Sequence, residues 1–391
     1  MKNVLLYYSF SFSFGGGEHL PLALIAALQN RTNLTLALDM KSYLEPALKT
    51  IDFDLDLSNL KVVQVTPPDY NPKRHRVWDS FYRFRQLKRL AKEADICIST
   101  SNIMDFGKPA HHFINMLAFG DDSFVVYAQN CVGQKVCHTS TGKLKRFLSE
   151  KVLRPILGMR SKKSIICDPR EHIYPNSCFV KKLMTDYYGA FNSSVFYPPT
   201  LFEAGATTID RDPLKLIYIG RIVPEKRIEK IINIVENARM ATGLNLKLHV
   251  AGRIDQSPSY GEQLQKMATE RDWLKLLGAL YGVEKQDFLM SGSYAIHAER
   301  FEAFGISIVE YLKSGNIVIV PDKGGAREIV DSPELTYHAE DEAVAILSKL
   351  LTDVAFREKQ LRHCRERAEL FSRKAYLERQ EKLLQEIIQF P

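Results

Sequence analysis

The stretch 214–226, Leu-Lys-Leu-Ile-Tyr-Ile-Gly-Arg-Ile-Val-Pro-Glu-Lys, sets the architecture of the second half of this 391-residue chain. Leu214 to Ile219 is a run of strand length that stops at Gly220, and Pro224 stands where a first-turn proline would open the next helix. Ligands of open α/β sheets bind outside the carboxyl ends of strands, so Arg221 and Lys226 are placed as two cations able to neutralise a diphosphate. Apolar runs followed by polar or glycine turns recur at Leu246 to Ala251, Leu274 to Leu277, Ala295 to His297 and Ile317 to Pro321. In the first half, β-like runs stand at Val4 to Phe10, Leu34 to Asp39, Lys61 to Thr66, Asp95 to Thr100, Ser123 to Gln129 and Ser164 to Cys167. Strands alternating with helical patterns imply α/β parallel sheets covered on both faces. Tyr197 to Asp212, rich in proline and glycine, interrupts the alternation and reads as a linker. The expected domains are residues 1–200, joined by a returning helix at about 374–391, and residues 201–373.

The chain is long enough for two cores, since single cores stop growing near roughly 250–300 residues. No apolar run approaches the roughly 18 residues of a membrane-spanning helix. The opening MKNVLLYYSF is read as a buried strand and not as a signal peptide, because a glycine triplet and an amphipathic pattern follow it. Six cysteines without a CxxC pair indicate neither a zinc site nor a disulfide framework, and a cytoplasmic setting fits. Cys131, Cys137 and His138 lack an evident fourth ligand and read as ordinary side chains.

The formal charge is +7, and the excess is concentrated. Lys73, Arg74, Arg76, Arg83, Arg85, Lys88, Arg89 and Lys92 face the single acid Asp79 and are interleaved with Trp78, Phe81, Tyr82 and Phe84. Lys143 to Lys163 is a second basic stretch. Such segments suit a phosphate-rich partner: an anionic membrane face, a lipid diphosphate or nucleic acid.

Glu302-Ala303-Phe304-Gly305-Ile306-Ser307-Ile308-Val309-Glu310 places two acids eight positions apart on a segment that is otherwise apolar. A buried carboxylate at Glu310 is costly without a partner, and a ribose with two hydroxyls is one. Glu302 precedes the helix, beside the free N–H groups that make a helix start an anion site. Equally, Glu302 can complement the helix dipole and Glu310 can belong to a buried salt bridge. Gly15, Gly16 and Gly17, after the first strand, let a backbone approach a phosphate or sugar, or simply turn. Gly324 and Gly325 repeat the device. Asp52-Phe53-Asp54-Leu55-Asp56 has the DxD form of a metal-binding run but no nucleotide loop beside it, so it reads as a solvated loop and no metal is expected.

Together these residues resemble retaining glycosyltransferases of family 4. Gly220, Arg221 and Lys226 are similar to that family's Gly-Arg-x4-Lys element. Val250-Ala251-Gly252 is similar to its nucleotide-flanking strand end, Glu299 to Gly315 to its E-x7-E element, and Pro321 to Val330 to its closing glycine turn. The details FGISIVEYLKSG and GGGE resemble the branch of α-1,2-mannosyltransferases of lipid-linked oligosaccharide assembly. The resemblance implies a GT-B fold: two Rossmann-like, doubly wound domains facing a central cleft, acceptor in the first and sugar nucleotide in the second, with a C-terminal helix crossing back. It also implies a donor site of Gly16, Gly17, Gly220, Arg221, Lys226, Gly252, Arg253, Phe304, Gly305, Ile306 and Glu310. Arg221 and Lys226 would bind the diphosphate, Glu310 the ribose and Glu302 the sugar near its reacting carbon. No cofactor or metal is implied beyond a GDP- or UDP-sugar co-substrate, and the acceptor would be a glycan or lipid-linked. The protein would be cytoplasmic, peripheral on the cytosolic face of a membrane. One departure stands out: relatives carry a sugar-contacting histidine after a first-domain strand, whereas Ala128-Gln129-Asn130 ends the run here, leaving His111 or His112 as substitutes.

Other readings share the architecture. An epimerase needs further acids or bases over the sugar, and a phosphorylase needs a pyridoxal lysine; neither is identifiable. A non-catalytic binding subunit has no need of Glu302, Glu310, Arg221 and Lys226 together. Nucleic-acid binding, suggested by charge, lacks a recognisable reading module and is not expected.

Overall fold

The computed structural model describes residues 1–9, 16–45, 48, 55–58, 60–71, 77–115, 122–133, 152, 154–200, 202–203, 210–254 and 257–389. It divides into two units, Met1–Pro199 with Leu377–Pro391, and Thr200–Tyr376. Gly15, Asp52, Asp54, Lys73, Arg74, Arg76, Cys137, His138 and most of the second basic stretch lie outside the described residues.

Unit 1 holds six parallel strands: β1 (Asn3–Tyr8), β2 (Asn33–Leu38), β3 (Lys61–Gln64), β4 (Ile96–Ser99), β5 (His111–Ile114) and β6 (His172–Pro175), in the order β3-β2-β1-β4-β5-β6. β1 is buried from Val4 onward, as expected of a strand with helices on both faces. Among the described residues its helices include α1 (His19–Leu28), α2 (Val77–Ala91), α3 (Asp122–Cys131), α4 (Lys162–Ile166) and α5 (Cys178–Tyr188). Leu5 and Tyr7 of β1 share a core cluster with Leu87 and Ala91 of α2 and with Phe106.

Two expected strands are helices. Ser123 to Gln129 lies within α3, where Phe124 and Ala128, four positions apart, are the fully buried pair. Ser164 to Cys167 lies in and just after α4, whose start is capped by Ser161 Oγ accepting from the Ser164 amide at 3.0 Å. A short apolar run has no period long enough to separate a strand from a buried helix. Conversely β5 and β6, four residues each and carrying His111, His112 and His172, lacked an apolar signal.

Unit 2 repeats the topology with β7 (Asp212–Ile219), β8 (Lys247–Ala251), β9 (Leu274–Leu276), β10 (Gly292–Ile296), β11 (Ile317–Pro321) and β12 (Thr336–Tyr337), in the order β12-β11-β10-β7-β8-β9. Its helices include α6 (Ile228–Thr242), α7 (Pro258–Thr269), α8 (Gly282–Ser291), α9 (Ile306–Lys313), α10 (Gly325–Val330), α11 (Glu340–Thr352) and α12 (Val354–Glu369). In both sheets the first strand of the unit lies centrally, beside the fourth. The chain reverses its winding direction there, which opens a crevice at the carboxyl ends of β1 and β4, and of β7 and β10.

The last helix, α13 (Arg373–Gln389), leaves unit 2 and packs within unit 1 from Leu377 onward. Its Gln380 side chain donates to the Ala23 carbonyl at 3.1 Å, and Glu381 pairs with Arg31 at 2.6 Å. No helix among the described residues is long and apolar enough to cross a membrane.

Candidate functional site

The site forms where β7 and β10 end. Beyond β7, the Gly220 amide donates to the Ala251 carbonyl at 3.1 Å, and a Cβ on Gly252 would lie 1.8 Å from the Gly220 carbonyl oxygen. Only glycine lets these two strand ends approach so closely. The chain then runs through exposed Arg221 to a single 3-10 turn, Pro224–Lys226, before α6. The first amide of α6, at Ile228, donates to the Tyr260 hydroxyl at 2.8 Å, so this helix start is already occupied.

Beyond β10, the loop 297–305 carries His297, Glu299 and Glu302 and ends at Gly305, whose φ of +111° suits glycine. Its course is pinned from behind: the Tyr337 hydroxyl donates to the His297 carbonyl at 2.7 Å, and the Gly325 amide donates to the Glu302 carbonyl at 2.8 Å. A Cβ on Gly325 would stand 2.3 Å from the Ala303 carbonyl oxygen, so this glycine serves the packing of the Glu302 loop. Tyr311 fastens α9 to β7: its hydroxyl accepts from the Ile219 amide at 2.6 Å and donates to the Ile219 carbonyl at 3.2 Å. That bond brings the Gly220 and Glu302 motifs to one place.

Lys226 stands between two carboxylates, its Nζ 2.6 Å from Glu302 Oε2 and 2.5 Å from Glu299 Oε2. Burial would lower its pKa, but Glu302 and Glu299 outweigh that and raise it, so it stays an ammonium. Burial pushes the Glu299 carboxyl up to about 7, with the Glu302 charge adding to the rise against Lys226. Burial also acts to raise Glu302, yet Lys226 and His297 overcome it and hold the group at about 2. Of the two acids, Glu302 is therefore the more readily ionised and Glu299 the more readily protonated. His297 is fully buried with Nε2 3.7 Å from Glu302 Oε2, and neither ring nitrogen has a hydrogen-bond partner among the described residues. Burial first, and Lys226 second, lower it to about 4, so it is neutral at pH 7.

His297, Glu299 and Glu302 bring their ligand atoms within 4.8 Å of one another. The Lys226 ammonium already lies against both carboxylates, in the position a cation would take.

Glu310, on the buried face of α9, is ion-paired: Lys285 of α8 donates to its Oε1 at 2.7 Å. Glu302 serves Lys226, which differs from a simple complement to the helix dipole. The first amides of α9, at Ile306 and Ser307, have no side-chain cap. Phe304 is buried, its ring edge-on to Phe371. The Arg253 carbonyl accepts from the Ile222 amide at 3.1 Å.

In unit 1, Gly16 and Gly17 form a one-turn 3-10 helix with Glu18, and a Cβ on Gly17 would meet nothing within 4 Å. Packing does not demand that glycine. His111 and His112 open β5, at its amino end, away from the carboxyl ends where ligands of such sheets bind. His112 is buried against Glu171 at 3.0 Å. The strand that carries both histidines was not legible in the sequence. A cavity of about 490 Å³, lined by Asn3, Asn33 and Lys61 among others, also lies at the amino ends of β1 to β3.

Part of the basic surface is structural. Arg83 donates to both Asp39 oxygens at 2.7 and 3.0 Å, and Arg160 bridges Asp105, Asp168 and Glu171. Trp78, Tyr82, Arg85 and Arg89, spaced along one stripe of α2, are exposed, Trp78 to 72%.

Glu299, His297, Lys285 and Tyr311 were not singled out in the sequence. Glu299 stands in the same short loop as Glu302, which is a usable signal. Tyr311 sits inside an apolar run and gives none.

Residues 202–371 match the family model of glycosyl transferases group 1. The GDP-Man:Man(3)GlcNAc(2)-PP-Dol alpha-1,2-mannosyltransferase of Caenorhabditis elegans is 26% identical over 168 residues, covering 39% of this chain and 36% of that relative. The match thus spans about a third of the curated relative's length. Sucrose-phosphate synthase from Thermosynechococcus elongatus superposes with a TM-score of 0.68 at 15% identity, covering 100% of both chains. HepE from Anabaena, solved with UDP and glucose, gives 0.67 at 14% identity over 98% of this chain and 99% of that one. The two six-stranded parallel sheets are those of the GT-B fold, and within that fold residues 202–371 match the glycosyl transferases group 1 model.

Proposed function

We propose that this protein is a retaining, metal-independent hexosyltransferase that moves a sugar, mannose foremost, from a nucleotide diphosphate sugar to a glycan or lipid-linked acceptor. The observation that carries the reading is the placement of Lys226 in the turn after β7, paired to Glu302, which precedes the uncapped start of α9 in the same loop. Arg221 and Lys226, with the Ile306 and Ser307 amides, would take the diphosphate, because cations and a helix start both favour concentrated negative charge. Gly220 and Gly252 leave the floor of the nucleotide site bare of side chains. Glu310 would exchange part of its pairing with Lys285 for the ribose hydroxyls. Glu302 would meet the sugar as positive charge develops at its reacting carbon, while the departing diphosphate accepts the acceptor's proton on the face it leaves. The mannosyltransferase relative and the UDP-bound neighbour support a sugar nucleotide donor. Gly16 and Gly17 are proposed for the donor as well, and packing does not demand a glycine at Gly17. The exposed stripe of α2 suits an anionic membrane face, where a lipid-linked acceptor would be found.

The test is release of nucleoside diphosphate from GDP-mannose and from UDP-glucose, with and without acceptor extracts. Arg221→Ala should slow transfer by about a hundredfold with a melting temperature close to wild type, and Lys226→Ala should slow it as much with a lowered one, because it leaves Glu299 and Glu302 without their shared cation. Wild-type turnover in both folded variants would refute the diphosphate assignment. EDTA should leave transfer intact; loss with EDTA and rescue by magnesium or manganese would refute metal independence.

A further inference from the structure

Glu299 has no place in the chemistry proposed above, yet it is the second carboxylate on the lysine that chemistry needs. With both acids ionised, Lys226, Glu299 and Glu302 sum to one net negative charge in a largely buried cluster, which opposes entry of a diphosphate. Lys226 cannot give full charge to a phosphate oxygen while both carboxylates hold it at hydrogen-bond distance. Glu302 is held as an anion by Lys226, so Glu299 is the member able to yield.

We propose that Glu299 is a positioning residue that couples donor binding to proton uptake: when the diphosphate draws Lys226 away, the Glu299 carboxylate takes a proton from solvent and remains as a neutral carboxyl beside Glu302. The only bond formed is O–H on Glu299, and the proton comes from water or buffer. This inference rests on the reading of unit 2 as a diphosphate site. The charged and titratable groups facing Glu299 are few. Lys226 comes from the turn after β7, Glu302 from its own loop with His297 behind it, and the Tyr218 phenol from β7, with Arg221 acting on that phenol. Burial first, and the two acids with it, keep Tyr218 neutral; Lys226 stays charged and His297 stays neutral across the range from pH 6 to pH 9. Glu299, raised to about 7, is the group of this cluster that changes charge near neutrality.

The sign follows from linkage. A group that is protonated in the complex and ionised in the free protein makes binding weaken as pH rises. Affinity should be flat below about pH 6.5 and fall toward about tenfold per pH unit above about 7.5.

The experiment is titration calorimetry of the full chain with GDP-mannose and, separately, UDP-glucose, whose diphosphate diesters do not titrate in this range. Two buffers of different ionisation enthalpy are used at pH 6, 7 and 8.5. Proton uptake should be near zero at pH 6, about half a proton at pH 7 and close to one at pH 8.5. Glu299→Gln, a permanent stand-in for the neutral acid, should abolish uptake and bind the same donor roughly thirtyfold tighter than wild type at pH 8.5. The wild-type measurement needs no variant, so a poorly folding Glu299→Gln leaves the test intact. Donor binding without proton uptake at any pH would overturn the coupling and leave the donor reading standing. Failure of both sugar nucleotides to bind would bring down the donor reading, and this inference with it.

Discussion

Lys226 faces Glu302 while Lys285 faces Glu310, and these separate pairings give the two acids separable losses. Glu302→Gln keeps Lys226 in place through Glu299, so nucleoside diphosphate should bind within about threefold of wild type. Turnover should nevertheless fall by about a hundredfold, because the contact is used as charge develops on the sugar. Glu310→Gln should act on binding, weakening free nucleoside diphosphate by about tenfold through loss of the charged acceptor for ribose hydroxyls. Calorimetry with the nucleoside diphosphate, paired with rates at saturating sugar nucleotide, reads both effects. Equal losses of both kinds in both variants would mean that the acids merely steady α9. Residue types and spacing exposed this pair in the sequence, whereas Glu299 and His297 emerged only once the loop brought them against Lys226.

At the level of elements, the site depends on strand ends and helix starts being clamped to one another. Tyr311→Phe would leave the Ile219 amide and carbonyl without their partner, at a cost of roughly 1–3 kcal/mol, and would loosen α9 from β7. It should lower the melting temperature of unit 2 by about 2–10 °C and weaken nucleotide binding together. Gly252→Ala would force β7 and β8 apart at their carboxyl ends and should destabilise by about 1–3 kcal/mol or more. Differential scanning calorimetry measures both. A Gly252→Ala protein melting with wild type would show that the strand ends can part without cost. The element pattern was readable where apolar runs were bounded by glycine, as at Ile317 to Pro321. It failed at Ser123 to Gln129, where burial of Phe124 and Ala128 on one face made a helix of the same residues.

For the molecule as a whole, the exposed stripe Trp78, Tyr82, Arg85 and Arg89 on α2 is the feature that bears on location. Indole and phenol rings settle at the headgroup level, and each arginine near an anionic surface contributes about 1 kcal/mol. The protein should therefore sediment with vesicles containing phosphatidylserine at low salt and less so at moderate salt. Trp78→Ala combined with Arg85→Ala and Arg89→Ala should reduce the bound fraction by about tenfold while leaving donor hydrolysis in solution unchanged. Equal binding to neutral and anionic vesicles, or none to either, would remove the membrane from the proposal. Arg83 should not contribute, since it is committed to Asp39.

By itself the sequence determined the two α/β units, the strand-turn-helix at Gly220 to Lys226 and the paired acids Glu302 and Glu310. Each of these follows from local pattern: apolar runs ended by glycine, and charges placed where an apolar helix would bury them. Only the tertiary structure decided which cation meets which acid. Lys226 and Glu302 lie 76 positions apart, and Lys285 and Glu310 lie 25 apart, so no local spacing links them. The same holds for protonation: Glu299 and Glu302 are chemically identical in the sequence. Burial acts on both and Lys226 faces both, but burial prevails at Glu299 and the lysine prevails at Glu302, so their proton affinities move in opposite directions.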